Sequence, residues 1–176
     1  MKMLKYILFA LLIYQYGLAN ENISDQYPQS DLYSKPTEFI PGVFSAIGAT
    51  APPTYENSGH NNNLSFIVTP NGVVVINSGA SFRLAKAIHH EIKQVTDQPV
   101  KLVINENGQG HAMLGNSYWS RIGVDIIAHE DAILEVEENA YQILEHMKRY
   151  NKEKAVGTTV VPVSYTHLRA HETSQH

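Results

Sequence analysis

The sequence contains no cysteine and shows no large excess of charge of either sign. Its 176 residues include 13 basic and 17 acidic side chains, for a formal net charge of −4 at pH 7. The lack of cysteine excludes disulfide bonds, thiolate zinc ligands and a thiol nucleophile from this chain. No basic stripe with interleaved aromatic residues is present, so we expect no nucleic-acid partner. A chain of this length predicts one domain at most, since domains run to about 100–200 residues.

Long hydrophobic runs are also scarce, and the one at the N-terminus is short. Residues 1–19 combine two lysines, an apolar stretch and the small-residue end Gly17-Leu18-Ala19. This pattern predicts a secretory signal peptide, because a membrane span needs about 20 apolar residues. An uncleaved membrane anchor is the alternative interpretation. We therefore expect a secreted, periplasmic protein that makes no membrane contact once the signal is cleaved.

The C-terminal residues call for a separate interpretation. The peptide VSYTHLRAHET at 163–173 is the translation, in one frame, of a transposase-type sequencing adapter. We therefore expect residues 163–176 to be an adapter artefact and the natural chain to continue beyond Pro162. The alternative is a genuine histidine-rich, metal-binding tail, which would give a role to His167, His171 and His176.

Strand and helix patterns alternate between these two ends. After an extended polar lead-in at 20–41, apolar and β-branched runs predict strands at 42–48, 64–69, 73–77, 100–106, 124–129 and 157–162. Helical spacing of apolar residues predicts one helix after the cap residue Ser81 and two more over about 113–121 and 130–150. This alternation predicts an α/β layered fold, and we assign a partial domain to residues 42–162.

Some local patterns give finer expectations. The segment Pro70-Asn71-Gly72 predicts a tight hairpin turn, in which Asn-Gly tolerates the positive φ that such a turn requires. On the first helix, His89 and His90 are assigned to a solvated surface. On the long helix, the predicted core face consists of Ile133, Leu134, Tyr141, Leu144 and Met147.

The order of segments from Asn63 to His129 resembles the N-terminal half of the metallo-β-lactamase-fold hydrolases. The resemblance rests on the hairpin end GVVVINSG, the strand VKLVIN, the LGN that follows the next loop, and IIAHE, in that order. It covers residues 42–162 and implies an αββα sandwich, truncated here to about its first half. In that fold two ββα halves pack sheet against sheet, and loops from both halves hold the metal at one edge.

The loop after VKLVIN departs from the family's zinc motif, which reads H-x-H-x-D-H. Here it reads NGQGHA, so the resemblance places the first motif histidine on Asn107 and the second on Gln109, the aspartate on His111 and the last histidine on Ala112. Zinc takes thiolate, imidazole or carboxylate ligands, and catalytic sites have three of them. Carboxamides suit hard cations or hydrogen bonding better. His111 alone suits zinc or another divalent metal, so the resemblance implies an altered metal site.

Further residues complete the candidate site. Asn77 ends the hairpin, where the family commonly has an acidic residue that supports the motif loop. Glu106 ends the strand before the loop and is a candidate ligand or general base, with a solvated strand-end carboxylate as the alternative. His60 lies in an asparagine-rich loop that often overhangs the active site in the family, with a surface histidine as the alternative.

Two functions are consistent with these residues. The first is an exported hydrolase with an altered metal site, in which a metal-activated water attacks a carbonyl or ester and a second half supplies the other ligands. The alternative is a non-catalytic periplasmic protein that binds a small molecule through hydrogen bonds from residues 107–111. In either case the partner is a small molecule. We expect the chain as given to be inactive and poorly soluble, because half a sandwich exposes its inner face.

Overall fold

The computed structural model describes residues 27–161 and residue 163. The expected signal peptide, the beginning of the lead-in and residues 164–176 of the expected adapter segment lie outside the described residues, as do His167, His171 and His176. Within the described residues, no helix is long and apolar enough to cross a membrane.

Six strands form one mixed sheet whose spatial order follows the chain. They are β1 (Thr37–Ile40), β2 (Val43–Ala46), β3 (Leu64–Thr69), β4 (Gly72–Ile76), β5 (Val100–Asn105) and β6 (Asp125–Ala128). Strands β1 to β4 are antiparallel, and β4, β5 and β6 are parallel. The helices are α1 (Phe82–Val95), α2 (Gly110–Met113), α3 (Asn116–Arg121) and α4 (Glu130–Asn151), followed by a 3-10 helix (Lys152–Ala155). The predicted α/β fold class is confirmed.

The hairpin between β3 and β4 forms where it was predicted, with its turn shifted by one residue. Thr69 pairs with Gly72, so the two-residue connection is Pro70-Asn71. The positive φ falls on Gly72, at +130°, and a Cβ there would lie 2.5 Å from Lys101 Cγ and 2.9 Å from the Pro99 carbonyl oxygen. Glycine is therefore required both for the backbone angle and for the close approach of the chain at the start of β5.

The hydrophobic core lies on one face of the sheet, under α1 and α3. Ser81 caps α1 as predicted, since its Oγ accepts a hydrogen bond from the Leu84 N–H at 3.1 Å. The apolar side chains along one face of α1 pack against the sheet and against Trp119 of α3. Members of this core include Leu64, Phe66, Val73, Val75, Leu84, Ile88, Ile92, Val103 and Trp119.

The opposite face of the sheet is aliphatic and only part-buried. Strand registers place alternate residues of β2 to β6 on this face, which we call the inner face. Its side chains lie outside both hydrophobic clusters of the described residues. Ser45, Ser65, Thr69 and Asp125 also lie on this face, and its aliphatic members are Val43, Ile67, Val74, Ile76, Leu102, Ile104 and Ile127.

Helix α4 packs differently from the sequence prediction. It lies against α2 and the 3-10 helix, in a second cluster that includes Met113, Leu114, Val136 and Met147. Because a short helix covers less surface than a sheet, the buried stripe of α4 is narrow. Leu134 and Tyr141 were predicted to face the core, and they are 47% and 74% exposed.

Other boundaries also differ from the predictions. Strand β1 lies in the segment interpreted as an extended lead-in, where its four side chains are exposed and gave no alternating pattern. The helix predicted at 113–121 is two helices, separated where Gly115 approaches the end of β4. Residues 157–161 form no strand in the described part of the chain.

Candidate functional site

The loop after β5 lies at the edge of the sheet where the parallel strands end. Residues 106–109, which we call the motif loop, connect β5 to α2. Its turn is closed locally, because Asn107 Oδ1 accepts a hydrogen bond from the Gln109 N–H at 2.9 Å. Gln109 is exposed, and Asn107 is half-buried. The asparagine therefore shapes the loop, and the glutamine amide faces solvent.

Asn77 holds the beginning of the motif loop. Its backbone has a φ of +64°, a left-handed conformation that asparagine adopts more readily than most residues. Its N–H donates to the Ile104 carbonyl at 2.8 Å, and its Oδ1 accepts from the Glu106 N–H at 3.1 Å. The neutral amide at this position thus supports the loop through hydrogen bonds.

Ser78 and Gly115 fix the far side of the same region. The Ser78 N–H and Oγ both donate to the Ala112 carbonyl, at 2.8 and 2.9 Å. The Gly115 N–H donates to the Gly79 carbonyl at 2.7 Å, and a Cβ on Gly115 would lie 2.0 Å from the Ser78 carbonyl oxygen. The glycine of the LGN segment is therefore required by the close contact between two backbones.

A buried amide pair lies next to the motif loop. Asn105 ends β5 and Asn116 begins α3, and they are 3% and 0% exposed. Asn105 Nδ2 donates to Asn116 Oδ1 at 3.0 Å. Asn105 Oδ1 and Asn116 Nδ2 have no hydrogen-bond partner among the described residues. The pair therefore joins β5 to α3 beneath the loop through one hydrogen bond and is closed off from solvent.

Glu106 and His111 are the titratable groups of this region. Glu106 is exposed, and its Oε1 accepts from Asn62 Nδ2 at 3.2 Å, so the asparagine-rich loop reaches the motif loop. His111 is half-buried, and burial lowers its pKa below the ordinary value while the carboxylates of Glu106 and Glu135 oppose that shift. We therefore expect a neutral imidazole at pH 7.

Helix α4 covers one side of the motif loop. The Gly108 N–H donates to Glu135 Oε2 at 3.2 Å. A Cβ on Gly108 would lie 2.4 Å from the Ala132 carbonyl oxygen and 2.8 Å from Glu135 Cβ. The glycine of the motif loop allows the helix to approach this closely.

His60 does not occupy the surface position considered from the sequence. It is 1% exposed, and its Nδ1 accepts the Tyr33 N–H at 2.8 Å. Burial lowers the pKa of His60 to about 4, although the backbone carbonyls of Ala46 and Asn62 oppose the shift. The interpretation as a surface histidine is wrong, because the loop from 49 to 63 folds over the side chain.

The donors that the structure brings together do not form a zinc site by themselves. Within the described residues there is no group of three histidine, aspartate or glutamate side chains that could hold a metal ion. Around the motif loop the candidate ligands are one imidazole, His111, and the carboxylates of Glu106 and Glu135. The positions that the resemblance aligned with the other zinc ligands carry amides or alanine, which do not fit zinc.

Two cavities lie away from the motif loop. One, of about 860 Å³, is lined by the segment 28–31, α1 and the 3-10 helix. Three of its charged groups are engaged: Arg83 pairs with Asp31, and Lys154 donates to the Tyr55 carbonyl and to Ser58. The other, of about 610 Å³, lies at the opposite edge of the sheet.

The second cavity contains residues that the sequence patterns did not identify as functional. His89 was assigned to a solvated surface, but it is half-buried against Tyr118 and Trp119, and only His90 is exposed. The spacing of apolar residues on α1 gave no sign of this contact, because α3 supplies it from a segment about 30 residues further along.

Solved structures with a similar fold are metallo-β-lactamases. The metallo-β-lactamase from Pontibacter korlensis matches with a TM-score of 0.51 and 22% identity, over 60% of this chain and 47% of that chain. The metallo-β-lactamase FIM-1 from Pseudomonas aeruginosa, in its mono-zinc form, matches with a TM-score of 0.50 and 16% identity, over 60% and 46%. No family model and no curated protein matches this sequence.

These matches show the fold. The described sheet and helices have the metallo-β-lactamase fold over the matched part of the chain, as the order of segments predicted. The chain spans about half the length of the solved structures that it matches. A shared fold does not determine the chemistry, which depends on the residues of the motif loop.

Proposed function

We propose that this chain is part of an exported, hydrolase-type protein that acts on a small carbonyl or ester compound with an altered metal site. One observation supports the proposal: the motif loop has a defined shape at the edge of the sheet, although the residues that the resemblance aligns with zinc ligands are mostly amides or alanine. Asn77, Ser78 and Gly115 specify that shape by hydrogen bonds and close backbone contact. A loop that had lost its role would not need such support.

Glu106 is the group proposed to act on water. Its carboxylate is exposed at the entrance to the motif loop, and Asn62 holds one of its oxygens. A positioned carboxylate that removes a proton from an attacking water contributes about 10²–10⁴-fold to a rate. Gln109 and the neutral imidazole of His111 would orient the substrate by hydrogen bonds. No step is assigned to a metal, because the donors described here do not fit zinc.

The proposed substrates are small carbonyl and ester compounds, a class broader than the β-lactams. Two solved structures with a similar fold are metallo-β-lactamases, and one of them is a mono-zinc form. In this chain the residues aligned with the family's zinc ligands are Asn107, Gln109, His111 and Ala112. β-Lactam cleavage that depends on the family's zinc ligands is not expected from these four residues. Other esters and amides are therefore the first substrates to test.

A second function is favoured by a different observation. The motif loop presents the Gln109 amide to solvent, close to the half-buried imidazole of His111. Amides bind polar ligands well but do not transfer protons at neutral pH. The alternative is therefore a non-catalytic periplasmic protein that binds a small molecule on the same scaffold.

The test uses the protein translated from an intact gene past the Pro162 codon, assayed against a panel of small esters and amides. We expect Glu106→Gln to lower kcat by about 100-fold or more with little change in KM, by loss of the base. The matched control is Glu137→Gln, an exposed glutamate on α4, which should leave both constants unchanged. Equal activity of Glu106→Gln and the parent would overturn the assignment of the base.

The same preparation separates the two functions. Saturable binding of a small polar ligand by calorimetry, with no turnover of any substrate, would establish the binding protein instead. Export is tested by expressing the gene with its own N-terminus: cleavage after Ala19 and recovery in the periplasmic fraction are expected. An intact N-terminus in the membrane fraction would establish the uncleaved anchor.

A further inference from the structure

The cavity of about 610 Å³ is a second candidate site, separate from the motif loop. Its lining comes from the end of α1, from residues 96–100, and from the segment between α3 and β6. Val100 begins β5, whereas the motif loop follows the end of that strand, about 20 Å away at 3.3 Å a residue. The volume lies within the range of small-molecule pockets, about 300–1,000 Å³.

The rings of His89 and Tyr118 form one wall of this cavity. His89 Nδ1 lies 2.7 Å from the Tyr118 hydroxyl, which joins α1 to α3. Trp119 is fully buried behind them, with its ring centroid 5.3 Å from that of His89 and 5.2 Å from that of Tyr118. The aliphatic part of the lining includes Val100 and Val124, and polar side chains from the end of α1 and the loop after it complete the lining. Such a slot, with aromatic and aliphatic sides, suits a flat ring.

The polar groups of the cavity define what the ring should carry. Burial and the neighbouring Lys93 lower the pKa of His89, and burial raises the pKa of Tyr118, so both groups are uncharged at pH 7. When the Tyr118 hydroxyl donates to Nδ1, the hydrogen of the imidazole resides on Nε2 and remains available as a donor.

Lys93 supplies a positive charge beside that donor. It is four residues after His89 and therefore on the same face of α1. An imidazole N–H and an ammonium group together can bind one carboxylate. Asp97, on the loop that follows, disfavours a second negative charge on the ligand.

We propose that this cavity binds a small aromatic monocarboxylate, with its ring between Tyr118 and the valines and its carboxylate on Lys93 and His89. The site belongs to the helix-covered side of the sheet, so it does not depend on what covers the inner face. Nor does it depend on the chemistry proposed for the motif loop, and it can exist whether or not the protein is an enzyme.

Trp119 provides the measurement, since it is the single tryptophan of the chain and contacts two residues of the site. The full chain is titrated at micromolar concentration with benzoate, benzamide and cyclohexanecarboxylate. We expect a saturable change in fluorescence with benzoate and about tenfold weaker binding of each of the other two, which lack the charge or the flat ring.

Variants locate the site. Lys93→Gln should weaken benzoate binding about tenfold and abolish the preference for benzoate over benzamide. Lys86→Gln, an exposed lysine of the same helix that lines the other cavity, is the matched control and should change nothing. Both lysines are exposed, so neither variant threatens folding. Tyr118→Phe keeps the ring, removes the hydroxyl and should weaken benzoate binding.

Three outcomes would overturn the proposal. The first is no saturable change with benzoate at millimolar concentration. The second is equal binding of benzoate and benzamide, which would remove the role of the carboxylate. The third is an equal loss in Lys86→Gln and Lys93→Gln, which would show a general effect of charge on the surface.

Discussion

At the scale of single residues, neutral amide side chains hold the backbone of the motif loop through hydrogen bonds. Asn77 and Asn107 each accept a backbone N–H, and short amide side chains are suited to that role in turns. Zinc would require anionic or imidazole ligands at several of these positions. The amides at these positions therefore hold the fold of the loop and do not fit zinc.

His60 makes the stability of the protein depend on pH. Burial lowers its pKa to about 4 in the folded chain, against 6.5 when unfolded, so the native state keeps the imidazole neutral. The unfolded chain takes up a proton below pH 6.5, and stability is therefore lost as the pH falls from about 6.5 towards 4. We expect the free energy of unfolding, measured with urea, to decrease by about 2 kcal/mol between pH 7 and pH 5 from this group.

Replacement of His60 isolates its contribution, because His89 and His111 also have lowered pKa values. His60→Gln cannot titrate, and it should reduce the difference between pH 7 and pH 5 by about 2 kcal/mol whatever its own stability. A pH dependence identical to that of the unsubstituted chain would contradict the assignment.

The sequence predicted which residues form the motif loop, but not which histidines are buried. Asn107, Gln109 and His111 follow a strand that its own composition identifies. His60 contacts the backbone of Tyr33 and His89 contacts Tyr118 of α3, and those contacts depend on tertiary packing that no local pattern records. Residue roles that arise within one segment were therefore predictable, and roles that arise between segments were not.

At the scale of elements, α4 closes over the motif loop at a glycine. Gly108 does not have a positive φ, so the backbone angle does not require glycine there. Glycine is required because a Cβ would lie 2.4 Å from the Ala132 carbonyl oxygen. Gly108→Ala should push the first turns of α4 away from the loop and lower the free energy of unfolding by about 1–3 kcal/mol. Amide hydrogen exchange should become faster in residues 130–136.

Gly123→Ala is the control for that substitution. A Cβ at Gly123 meets nothing within 4 Å, although its φ of +76° makes alanine strained by about 1 kcal/mol. Exchange in the first turns of α4 should then be unchanged. If both variants accelerate exchange there equally, the effect is global destabilisation and the contact at Gly108 is not its cause.

The positions of the strands and helices were largely predictable from the sequence. Which side of a helix is buried was less predictable. Strands β3 to β6 lie within one residue of the predicted runs, because β-branched residues and turn residues bound each of them. The core face of α4 was only partly predicted, since apolar spacing does not tell whether the partner is a broad sheet or a short helix. Leu134 and Tyr141 are exposed for that reason.

At the scale of the whole molecule, the inner face of the sheet is the aliphatic surface that lies outside the hydrophobic cores of the described residues. Its seven aliphatic side chains form a continuous patch across five strands and lie outside both cores of the described residues. Aligned sheets pack about 10 Å apart with such faces interdigitated. The solved structures that share this fold are about twice as long as the matched region, so in a longer protein further chain is available to pack there.

For the chain as given, the part-buried aliphatic inner face predicts self-association. A contiguous apolar patch of several hundred Å² drives proteins together. Light scattering after size exclusion should show oligomers or aggregates, and Ile104→Lys, at the centre of the patch, should shift the chain towards monomer. Tyr141→Lys is the control: it removes a residue that is 74% exposed but lies on α4, away from the sheet, and it should leave association unchanged. A monomer that melts cooperatively without any substitution would show that the inner face is tolerated in water.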